Sequence, residues 1–442
     1  MKKIVHCSID YIVRPSGPLR GEIRVPGDKS ISHRCVMLGA IARGETRVNG
    51  MLEGEDVLAT VAAFRSMGVK IEGPRDGEAR IGGVGRDGLR PPVEDIDLGN
   101  SGTAMRLLAG LLAGQGFECV LVGDASLSLR PMRRITEPLS QMGARIETAD
   151  GGTPPIRLRP CDGLAPIDYA APVASAQVKS GILLAGLYAD GSTCVTEPVP
   201  TRDHTERMLA AFGVELTRDG RRTCIEGGAR LAATKIDVPG DISSAAFFVA
   251  AAAGRIGSDL LIRGVGVNPT RIGILTVLEQ MGADILWLNC RTAGREPVAD
   301  LRVRGRVLHG IDVDPSLVPL AIDEFPAIFV AAASARGVTR VTGARELRVK
   351  ESDRIAASAE ALSALGVSVR VFDDGMEIEG GGLSGGEVDS AGDHRIAMAF
   401  ASATVAAPVR IRNCRNVMTS FPGFETSANS VGFRIEVIDA RR

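Results

Sequence analysis

The stretch Met67–Glu72, "MGVKIE", decides the fold, because the same pattern recurs six times along the 442-residue chain. The later copies carry the glycines at positions 143, 213, 282, 366 and 432, so that the repeat is about 73 residues long. A glycine between an apolar run and a strand-like run is typical of a helix that ends at glycine and leads directly into a strand. The sequence therefore predicts six copies of one structural unit.

A second pattern recurs in phase with the first. It consists of a polar turn, an Ala- and Leu-rich run and then a β-branched run. These runs are apolar on nearly all sides, as in "ISSAAFFVAAAAG" at 242–254, and this predicts buried helices. The second helix of each unit, such as "EDVLATVAAFRSMG" at 55–68, is amphipathic and belongs on the outside. Each unit is thus predicted to run strand, buried helix, strand, outer helix, strand.

The tetrapeptide Val-Pro-Gly-Asp occurs twice, at 25–28 and at 238–241, at the head of the first and fourth units. A chain of 442 residues also exceeds the size at which one hydrophobic core keeps growing. We therefore expect two α/β domains of three units each.

Composition excludes several classes of protein. With 45% apolar residues, 24% charged residues and a net charge of −1, the chain has material for two cores but no overall field for a polyanion. Only 4% of the residues are aromatic, so a nucleic-acid-binding surface is not expected. The most apolar run has 13 residues, which is too short to span a membrane.

The eight cysteines are scattered without a CxxC pair, which favours reduced thiols over a zinc site or a disulfide framework. The N-terminal residues contain no apolar segment of the kind found in signal peptides. Both features fit a cytoplasmic protein. No two histidines have metal-ligand spacing, so no catalytic metal and no cofactor are expected.

The first turns of the buried helices carry different polar residues, which a repeat kept for packing alone would not need. These residues are Lys29 and Ser30; Asn100, Ser101 and Thr103; Ser175 and Gln177; Ser243 and Ser244; Asp323 and Glu324; and Asp393, His394 and Arg395. Helix N-termini carry about half a positive charge and unpaired N–H groups, so several together form an anion site. Seven basic residues lie at or near these turns: Lys29, Arg34, Arg130, Arg202, Lys350, Arg354 and Arg395. The pattern predicts substrates with several negative charges.

Two carboxylates stand beside these cations. Asp323 lies at the start of a buried helix, and Glu351 lies in "RVKESDR" between Lys350 and Arg354. Such groups can serve as base and acid, but Glu351 and Arg354 could equally be a simple helical ion pair. "GEIRVPGDKS" at 21–30 resembles a phosphate-binding P-loop but fails its spacing, and "GVGVNPTRIG" at 264–273 is interpreted as a turn.

Nine motifs in order resemble the 5-enolpyruvylshikimate-3-phosphate synthase family, over residues 17 to 436. They are "VPGDKSISHR", "GNSGTAMR", "LRPM", "SAQVKS", "RDHTERM", "IDEFP", "RVKESDR", "GDHRIAM" and "SFPGF". The resemblance implies two inside-out α/β domains of three repeats each, with buried parallel helices directed at an inter-domain cleft that closes on the substrates. It also implies that the N-terminal strand crosses over. The implied domains are 26–238, which mainly binds shikimate 3-phosphate, and 1–25 plus 239–442.

The resemblance assigns site residues by matching motifs. For shikimate 3-phosphate it implies Lys29, Ser30, Arg34, Ser175, Ala176, Gln177, Arg202, Asp323 and Lys350. For phosphoenolpyruvate it implies Lys29, Gly102, Arg130, Gln177, Arg354 and Arg395. Asp323 resembles the base near the 5-hydroxyl and Glu351 the proton donor to the methylene, and Lys29 is a third catalytic candidate. The implied partners are these two small molecules, with no nucleic acid or membrane, and the expected state is a monomer.

The implied activity is transfer of the enolpyruvyl group to shikimate 3-phosphate with release of phosphate, on the route to chorismate and the aromatic amino acids. The alternative is the sister enzyme that acts on UDP-N-acetylglucosamine, but that family has Lys-Asn where this chain has Lys29-Ser30. Two positions depart from the pattern, because Met418 stands where many members have lysine and Thr201 where serine is common. Gly102 predicts sensitivity to glyphosate.

Overall fold

The computed structural model describes residues 9–439 and contains six small β-sheets, one for each predicted unit. Two strands come first, and the first three units follow. The strands and helices of this part are β1 (Ile9–Val13), β2 (Arg20–Arg24), α1 (Lys29–Ile41), β3 (Arg43–Asn49), α2 (Glu55–Ser66), β4 (Lys70–Arg75), β5 (Glu78–Val84), β6 (Ile96–Asp97), α3 (Gly102–Leu112), β7 (Cys119–Val122), α4 (Arg133–Gln141), β8 (Arg145–Ala149), β9 (Thr153–Arg159), β10 (Asp168–Ala170), α5 (Ala176–Gly186), β11 (Ser192–Thr196), α6 (His204–Ala211), β12 (Leu216–Asp219) and β13 (Arg222–Glu226).

The remaining three units continue the same order of elements. They consist of β14 (Lys235–Asp237), α7 (Ile242–Gly254), β15 (Asp259–Gly266), α8 (Gly273–Gln280), β16 (Asp284–Ala293), β17 (Glu296–Arg304), α9 (Val318–Ala321), α10 (Phe325–Ser334), β18 (Val338–Val341), α11 (Arg354–Ala364), β19 (Val369–Phe372), β20 (Gly375–Glu379), β21 (Gly386–Asp389), α12 (His394–Ala401), β22 (Val409–Arg412), α13 (Phe424–Ser430) and β23 (Ile435–Asp439).

The predicted helix ends are confirmed in all six units. The outer helices α2, α4, α6, α8, α11 and α13 each end two residues before the repeated glycine. Each of those glycines has a positive φ, between +83° and +112°, which a residue with a Cβ adopts only at a cost. The glycine therefore ends the helix and turns the chain into the next strand.

The buried helices are also confirmed. In α1 every residue from Ile31 to Ile41 is buried, and in α7 every residue from Ile242 to Ala253 is buried. The sheets differ from the prediction, because most units add a further strand that closes an antiparallel hairpin, as β8 and β9 do. The period-based prediction stopped at the first strand after each outer helix and missed the return strand.

The chain divides into two compact units, each with its own hydrophobic core. One unit takes in Gly27–Val238 and Thr292–Glu296, and the other takes in the chain up to Pro26, Pro239–Arg291 and the chain from Pro297 onward. The sheets of the first unit are ordered β14-β3-β5-β4, β6-β7-β9-β8 and β10-β11-β13-β12. Those of the second are ordered β16-β17-β15-β2, β18-β20-β19 and β21-β22-β1-β23.

The strand before each Val-Pro-Gly-Asp copy joins a sheet that the following helix does not cover. β2 precedes α1 in the chain but pairs in parallel with β15, and β14 precedes α7 but pairs in parallel with β3. At the N-terminal end, β1 lies between β22 and β23. Its buried Asp10 binds the Arg410 guanidinium, with 2.7 Å between Asp10 Oδ2 and Arg410 Nη2.

Two cysteines contradict the expectation of reduced thiols. Cys194 and Cys224 lie directly opposite each other on β11 and β13, with 4.1 Å between their Cα atoms, and they form a disulfide. Directly opposite residues of antiparallel strands bring their Cβ atoms close enough for such a bond, whatever their distance in the chain. Cys7 lies outside the described residues, and the other five cysteines are free.

None of the helices between residues 9 and 439 combines the length and apolar character needed to cross a membrane.

Two buried helices, α3 and α5, cross at a pair of glycines. A Cβ on Gly110 would lie 2.0 Å from the carbonyl oxygen of Gly181, so the helices can approach this closely only without it. We expect Gly110→Ala to lower the free energy of unfolding by about 1–3 kcal/mol, because the backbones must separate. Urea denaturation measures this change.

The matched control is Gly116→Ala, in the turn after α3, where an added Cβ meets nothing within 4 Å. This substitution is expected to change the free energy of unfolding by less than about 0.5 kcal/mol. Equal midpoints for the two variants would show that the crossing can relax without cost.

Candidate active site

The start of α1 holds a lysine at the edge of the core. Asp28 caps the helix, its Oδ1 accepting the N–H of Ile31 at 2.9 Å. The Lys29 ammonium lies 2.9 Å from Asp56 Oδ2 in the first turn of α2, and the two side chains are only 15% and 8% exposed. The sequence did not identify Asp56 as a site residue. An acidic residue in the first turn of an outer helix is common, because it interacts favourably with the helix dipole.

Arg34 is buried one turn further along α1. Its guanidinium donates to the carbonyl oxygen of Ser30 at 2.9 Å, to Thr205 Oγ1 at 2.7 Å and to Ser180 Oγ at 2.9 Å. Burial lowers its pKa to about 10, and the carboxylate of Glu206 opposes that shift. The structure thus connects Arg34 with Ser30 through a side chain only 4% exposed.

His33 lies beside Arg34 and is fully enclosed. Its Nδ1 is 2.8 Å from Thr60 Oγ1, and its Nε2 is 3.4 Å from Ser101 Oγ, the cap of α3. Burial, with help from Lys29 and Arg34, holds the pKa of this imidazole well below its usual range. The histidine is therefore a neutral link between α1, α2 and α3.

The start of α3 brings Gly102 and Arg130 together. The Arg130 guanidinium donates to Asn100 Oδ1 at 2.6 Å, and its Nη1 lies 3.1 Å from the place where a Cβ on Gly102 would be. A Cβ at position 102 would require this guanidinium to shift by a few tenths of an ångström. The residues predicted for phosphoenolpyruvate at this helix are therefore adjacent.

Gln177 at the start of α5 reaches across to α3. Its Oε1 accepts from Arg106 Nη1 at 2.9 Å, and its Nε2 donates to Thr103 Oγ1 at 2.9 Å. Arg106 was not assigned a role from the sequence, although it is the last residue of the motif "GNSGTAMR". Ser175 caps α5 through a 3.4 Å bond from the N–H of Val178, so that Ala176 is the first helical residue.

Arg202 lies in the loop between β11 and α6, in the same unit as Lys29, Gln177 and Arg130. The preceding residue, Thr201, is 7% exposed, and its hydroxyl donates a hydrogen bond to Glu197 Oε1. Thr201 keeps the hydroxyl of the serine that is common at this position, and this hydroxyl fixes the loop that carries Arg202.

The second compact unit, which contains the chain from Pro297 onward, has a fully buried arginine among three carboxylates. Arg354 is the first residue of α11, and its side chain is 0% exposed. Its guanidinium atoms lie 2.8 Å from Asp393 Oδ2, 2.6 Å from Glu351 Oε2 and 3.2 Å from Asp323 Oδ1. Burial opposes the charge of Arg354, but the three carboxylates outweigh it and raise the pKa above its usual value. Arg354 is thus a permanent cation at the centre of the cluster.

Asp323 also contacts two further cationic side chains, those of Lys350 and Arg395. Lys350 Nζ lies 3.5 Å from Asp323 Oδ1, and Arg395 Nη1 donates to the Asp323 carbonyl oxygen at 3.1 Å. Asp323 sits in the turn between α9 and α10, and its side chain is 14% exposed. The structure therefore brings Asp323, Lys350, Glu351, Arg354 and Arg395 together in one cluster, from the fifth and sixth units of the repeat.

The second Val-Pro-Gly-Asp copy supports this cluster. Asp241 caps α7 as Asp28 caps α1, and it also binds Arg271 at 3.1 Å. Arg271 donates to Ser243 Oγ at 2.7 Å, and Ser243 donates to Glu324, the neighbour of Asp323. The prediction of a plain turn at "NPTR" was incomplete, because Arg271 is 2% exposed and forms a buried ion pair. An arginine in a loop gives no sequence signal for such burial.

Within residues 9–439 no three His, Cys, Asp or Glu side chains group as ligands for a metal ion. Two groups of polar residues lie at the helix starts. One group consists of helix N-termini with Lys29, Arg130 and Gln177 nearby. The other is the cluster of Lys350, Arg354 and Arg395 with the accessible carboxylates of Asp323 and Glu351. Met418 is 38% exposed and contributes no charge. The fold is that of an α/β protein, and the cations at the starts of its buried helices are chemically suited to small, multiply negative molecules.

The EPSP synthase (3-phosphoshikimate 1-carboxyvinyltransferase) family matches residues 13–427. The 3-phosphoshikimate 1-carboxyvinyltransferase of Methylococcus capsulatus is 62% identical, over 97% of this chain and 98% of that protein. The enzyme of the same name from Halorhodospira halophila is 61% identical, over 97% of each chain. A solved EPSP synthase structure from Acinetobacter baumannii has a TM-score of 0.88 at 52% identity, over 97% of this chain and 100% of that chain. The chain therefore belongs to the EPSP synthase family.

Proposed function

We propose that this protein transfers the enolpyruvyl group of phosphoenolpyruvate to the 5-hydroxyl of shikimate 3-phosphate and releases phosphate. The observation that carries the proposal is Asp323, a partly exposed carboxylate held within 4 Å of Lys350, Arg354 and Arg395 in a member of this family. A carboxylate among cations is suited to accept a proton beside an anionic substrate.

Shikimate 3-phosphate is assigned to the residues at three helix starts and two loops. These are Lys29, Ser30, Arg34, Ser175, Ala176, Gln177, Arg202, Asp323 and Lys350. The proposal is supported by the N-termini of α1 and α5, which offer backbone N–H groups to a phosphate. It is also supported by the positive charge of Arg202, which lies in the loop before α6. Arg34 is assigned through the backbone it holds, because its guanidinium nitrogens already bind Ser30, Thr205 and Ser180.

Phosphoenolpyruvate is assigned to Lys29, Gly102, Arg130, Gln177, Arg354 and Arg395. Guanidinium groups bind phosphate and carboxylate through paired hydrogen bonds, and phosphoenolpyruvate carries both groups. The Gly102 backbone leaves space for Arg130, and Gln177 is fixed by Arg106.

The proposed chemistry has two stages. The 5-hydroxyl oxygen forms a bond to the enol carbon of phosphoenolpyruvate while Asp323 accepts the hydroxyl proton and Glu351 gives a proton to the methylene carbon. In the second stage the Glu351 carboxylate takes a proton back from the new methyl group as the carbon–carbon double bond re-forms. The bond from carbon to the phosphate oxygen breaks, and inorganic phosphate leaves with the proton that Asp323 had accepted. Lys29 is the third candidate for proton transfer, and its ammonium can stabilise the departing phosphate.

The alternative acceptor, UDP-N-acetylglucosamine, is not favoured by the relatives, which carry the 3-phosphoshikimate name at 60% identity or more. The deciding experiment measures phosphate release with phosphoenolpyruvate and either shikimate 3-phosphate or the sugar nucleotide. We expect release only with shikimate 3-phosphate. Release with the sugar nucleotide alone, or with neither acceptor, would refute the proposal.

A cytoplasmic location and a monomeric state are further parts of the proposal. Sedimentation analysis at micromolar protein concentration tests the monomer, and cell fractionation tests the location.

Gly102→Ala is expected to weaken phosphoenolpyruvate binding and to relieve inhibition by glyphosate. The added Cβ would lie 2.8 Å from Arg106 Nη1 and 3.1 Å from Arg130 Nη1, so both guanidinium groups must move. We expect the KM for phosphoenolpyruvate to rise about tenfold, the equivalent of about 1.4 kcal/mol. Steady-state kinetics with a glyphosate titration measure both effects, and Gly116→Ala is the control. A wild-type rate that stays flat into millimolar glyphosate would contradict the predicted sensitivity.

A further inference from the structure

Lys179 is a buried lysine that the proposed reaction does not use. It lies in α5, two residues after Gln177, and its side chain is 1% exposed. A buried ammonium is costly unless it is paired with acceptors of opposite charge. Lys179 Nζ lies 2.8 Å from Glu197 Oε2 and 2.7 Å from Glu206 Oε1, and both carboxylates are themselves nearly buried.

The two carboxylates stand at opposite ends of one loop. Glu197 is the first residue after β11, and Glu206 lies in the first turn of α6, so the loop between them carries Arg202. Glu197 also accepts the hydroxyl of Thr201 through its other oxygen. Pro198 and Pro200 have no N–H to donate, so the backbone has few means of its own to fix this loop. One ammonium therefore ties both ends of the Arg202 loop to α5.

The same turn of α5 also orders Arg34. Ser180, the neighbour of Lys179, accepts hydrogen bonds from the Thr205 hydroxyl at 2.7 Å and from Arg34 Nη2 at 2.9 Å. Thr205 precedes Glu206 in α6 and accepts from Arg34 Nε at 2.7 Å. The contacts of Lys179 and Ser180 thus hold α6 against α5 at the level where both arginines are positioned.

We propose that Lys179 is a positioning residue for shikimate 3-phosphate, because its ion pairs with Glu197 and Glu206 hold the Arg202 loop in its binding conformation. The inference rests on the proposed function for the identity of the ligand. It assigns Lys179 no contact with either substrate. Its loss should therefore affect one substrate and leave the chemistry in place.

The test compares Lys179→Met with the double variant Lys179→Met/Glu206→Gln. The single variant leaves two carboxylates buried without their cation, so it can lose stability for that reason alone. The double variant keeps the formal charge of the cluster at −1, as in the parent with one lysine and two glutamates, but still lacks the tie. Lys235→Met is the matched control, since Lys235 is 65% exposed in the same unit.

We expect the double variant to raise the KM for shikimate 3-phosphate about tenfold, with kcat and the KM for phosphoenolpyruvate within about threefold of the parent. Lys179→Arg, which keeps the charge, is expected to recover most of the affinity. A folded double variant with an unchanged KM for shikimate 3-phosphate, or one in which both KM values rise equally, would overturn the inference.

Hydrogen exchange of residues 197–203 without substrates provides a readout that does not depend on the reaction. We expect these amides to exchange at least about tenfold faster in the double variant than in the parent or in Lys235→Met. If the parent shows no phosphate release with shikimate 3-phosphate, the proposed function fails, while faster exchange still supports the tie. Unchanged exchange would overturn the positioning role itself.

Discussion

Asp323→Asn is expected to lower kcat by a factor of about 10² to 10⁴, the range for loss of a general base. Asparagine has the shape of aspartate and still accepts hydrogen bonds from Lys350 and Arg354, but its amide does not take up the proton of a substrate hydroxyl. Asp323 is suited to this role, because it is 14% exposed while Asp393 in the same cluster is fully buried. Affinity for shikimate 3-phosphate, measured by calorimetry, is expected to change only severalfold.

The control for this substitution is Asp314→Asn, which lies before α9 in the chain. Asp314 is exposed and accepts the N–H of Ser316 at 2.8 Å, a role that asparagine fills equally well. Asp314→Asn should leave kcat within about twofold of the parent. A near-normal kcat in Asp323→Asn would remove Asp323 from the chemistry and direct attention to Lys29 as the base.

Lys29→Met is expected to reduce kcat/KM by at least about a thousandfold, or about 4 kcal/mol of transition-state stabilisation. Lys29 is assigned to both substrates, and its ammonium adds to the positive end of α1. Its removal also leaves Asp56, formerly 2.9 Å away, as a negative charge at an anion site. Phosphate release at varied concentrations of both substrates measures the loss, and the free energy of unfolding shows whether the variant is folded.

Ile242→Val is the matched control, because Ile242 occupies the same position after the second Val-Pro-Gly-Asp copy. Asp28 and Asp241 both cap their helices, Asp28 by accepting the N–H of Ile31 and Asp241 by accepting that of Ser243, but Ile242 is 1% exposed and packs in the core. Loss of one methyl group should cost about 0.5–1.5 kcal/mol in the free energy of unfolding and leave kcat/KM nearly unchanged. Equal losses of kcat/KM in the two variants would mean that the second copy takes part in catalysis.

The sequence was sufficient for features that local physics determines. The six glycines end their helices, and the apolar runs form buried helices, because helix termination and burial depend on neighbouring residues. Strand pairing was predictable only in part. The exchange of β2 and β14 between sheets follows from partners more than 180 residues away, for which a single sequence contains no local signal.

The candidate site shows the same division. Asp323, Glu351, Lys350, Arg354 and Arg395 were named as chemically suited residues, and the structure groups them. The residues that hold the site were missed, because Arg271, Asp56 and Lys179 look like ordinary loop or helix charges in the sequence. Their burial and their partners depend on tertiary packing. The disulfide between Cys194 and Cys224 was missed for the same reason.

The position of β1 determines the order in which the chain can fold during synthesis. Asp10 pairs with Ile438 on β23, so β1 has a partner that is synthesised more than 400 residues after it. At about 5–20 residues per second, this strand waits roughly 20–90 s for its neighbour. The continuous stretch Gly27–Val238 contains all the strands of its own three sheets and can fold during that interval. The residues of β1 are then without their strand partners until β22 and β23 have been made.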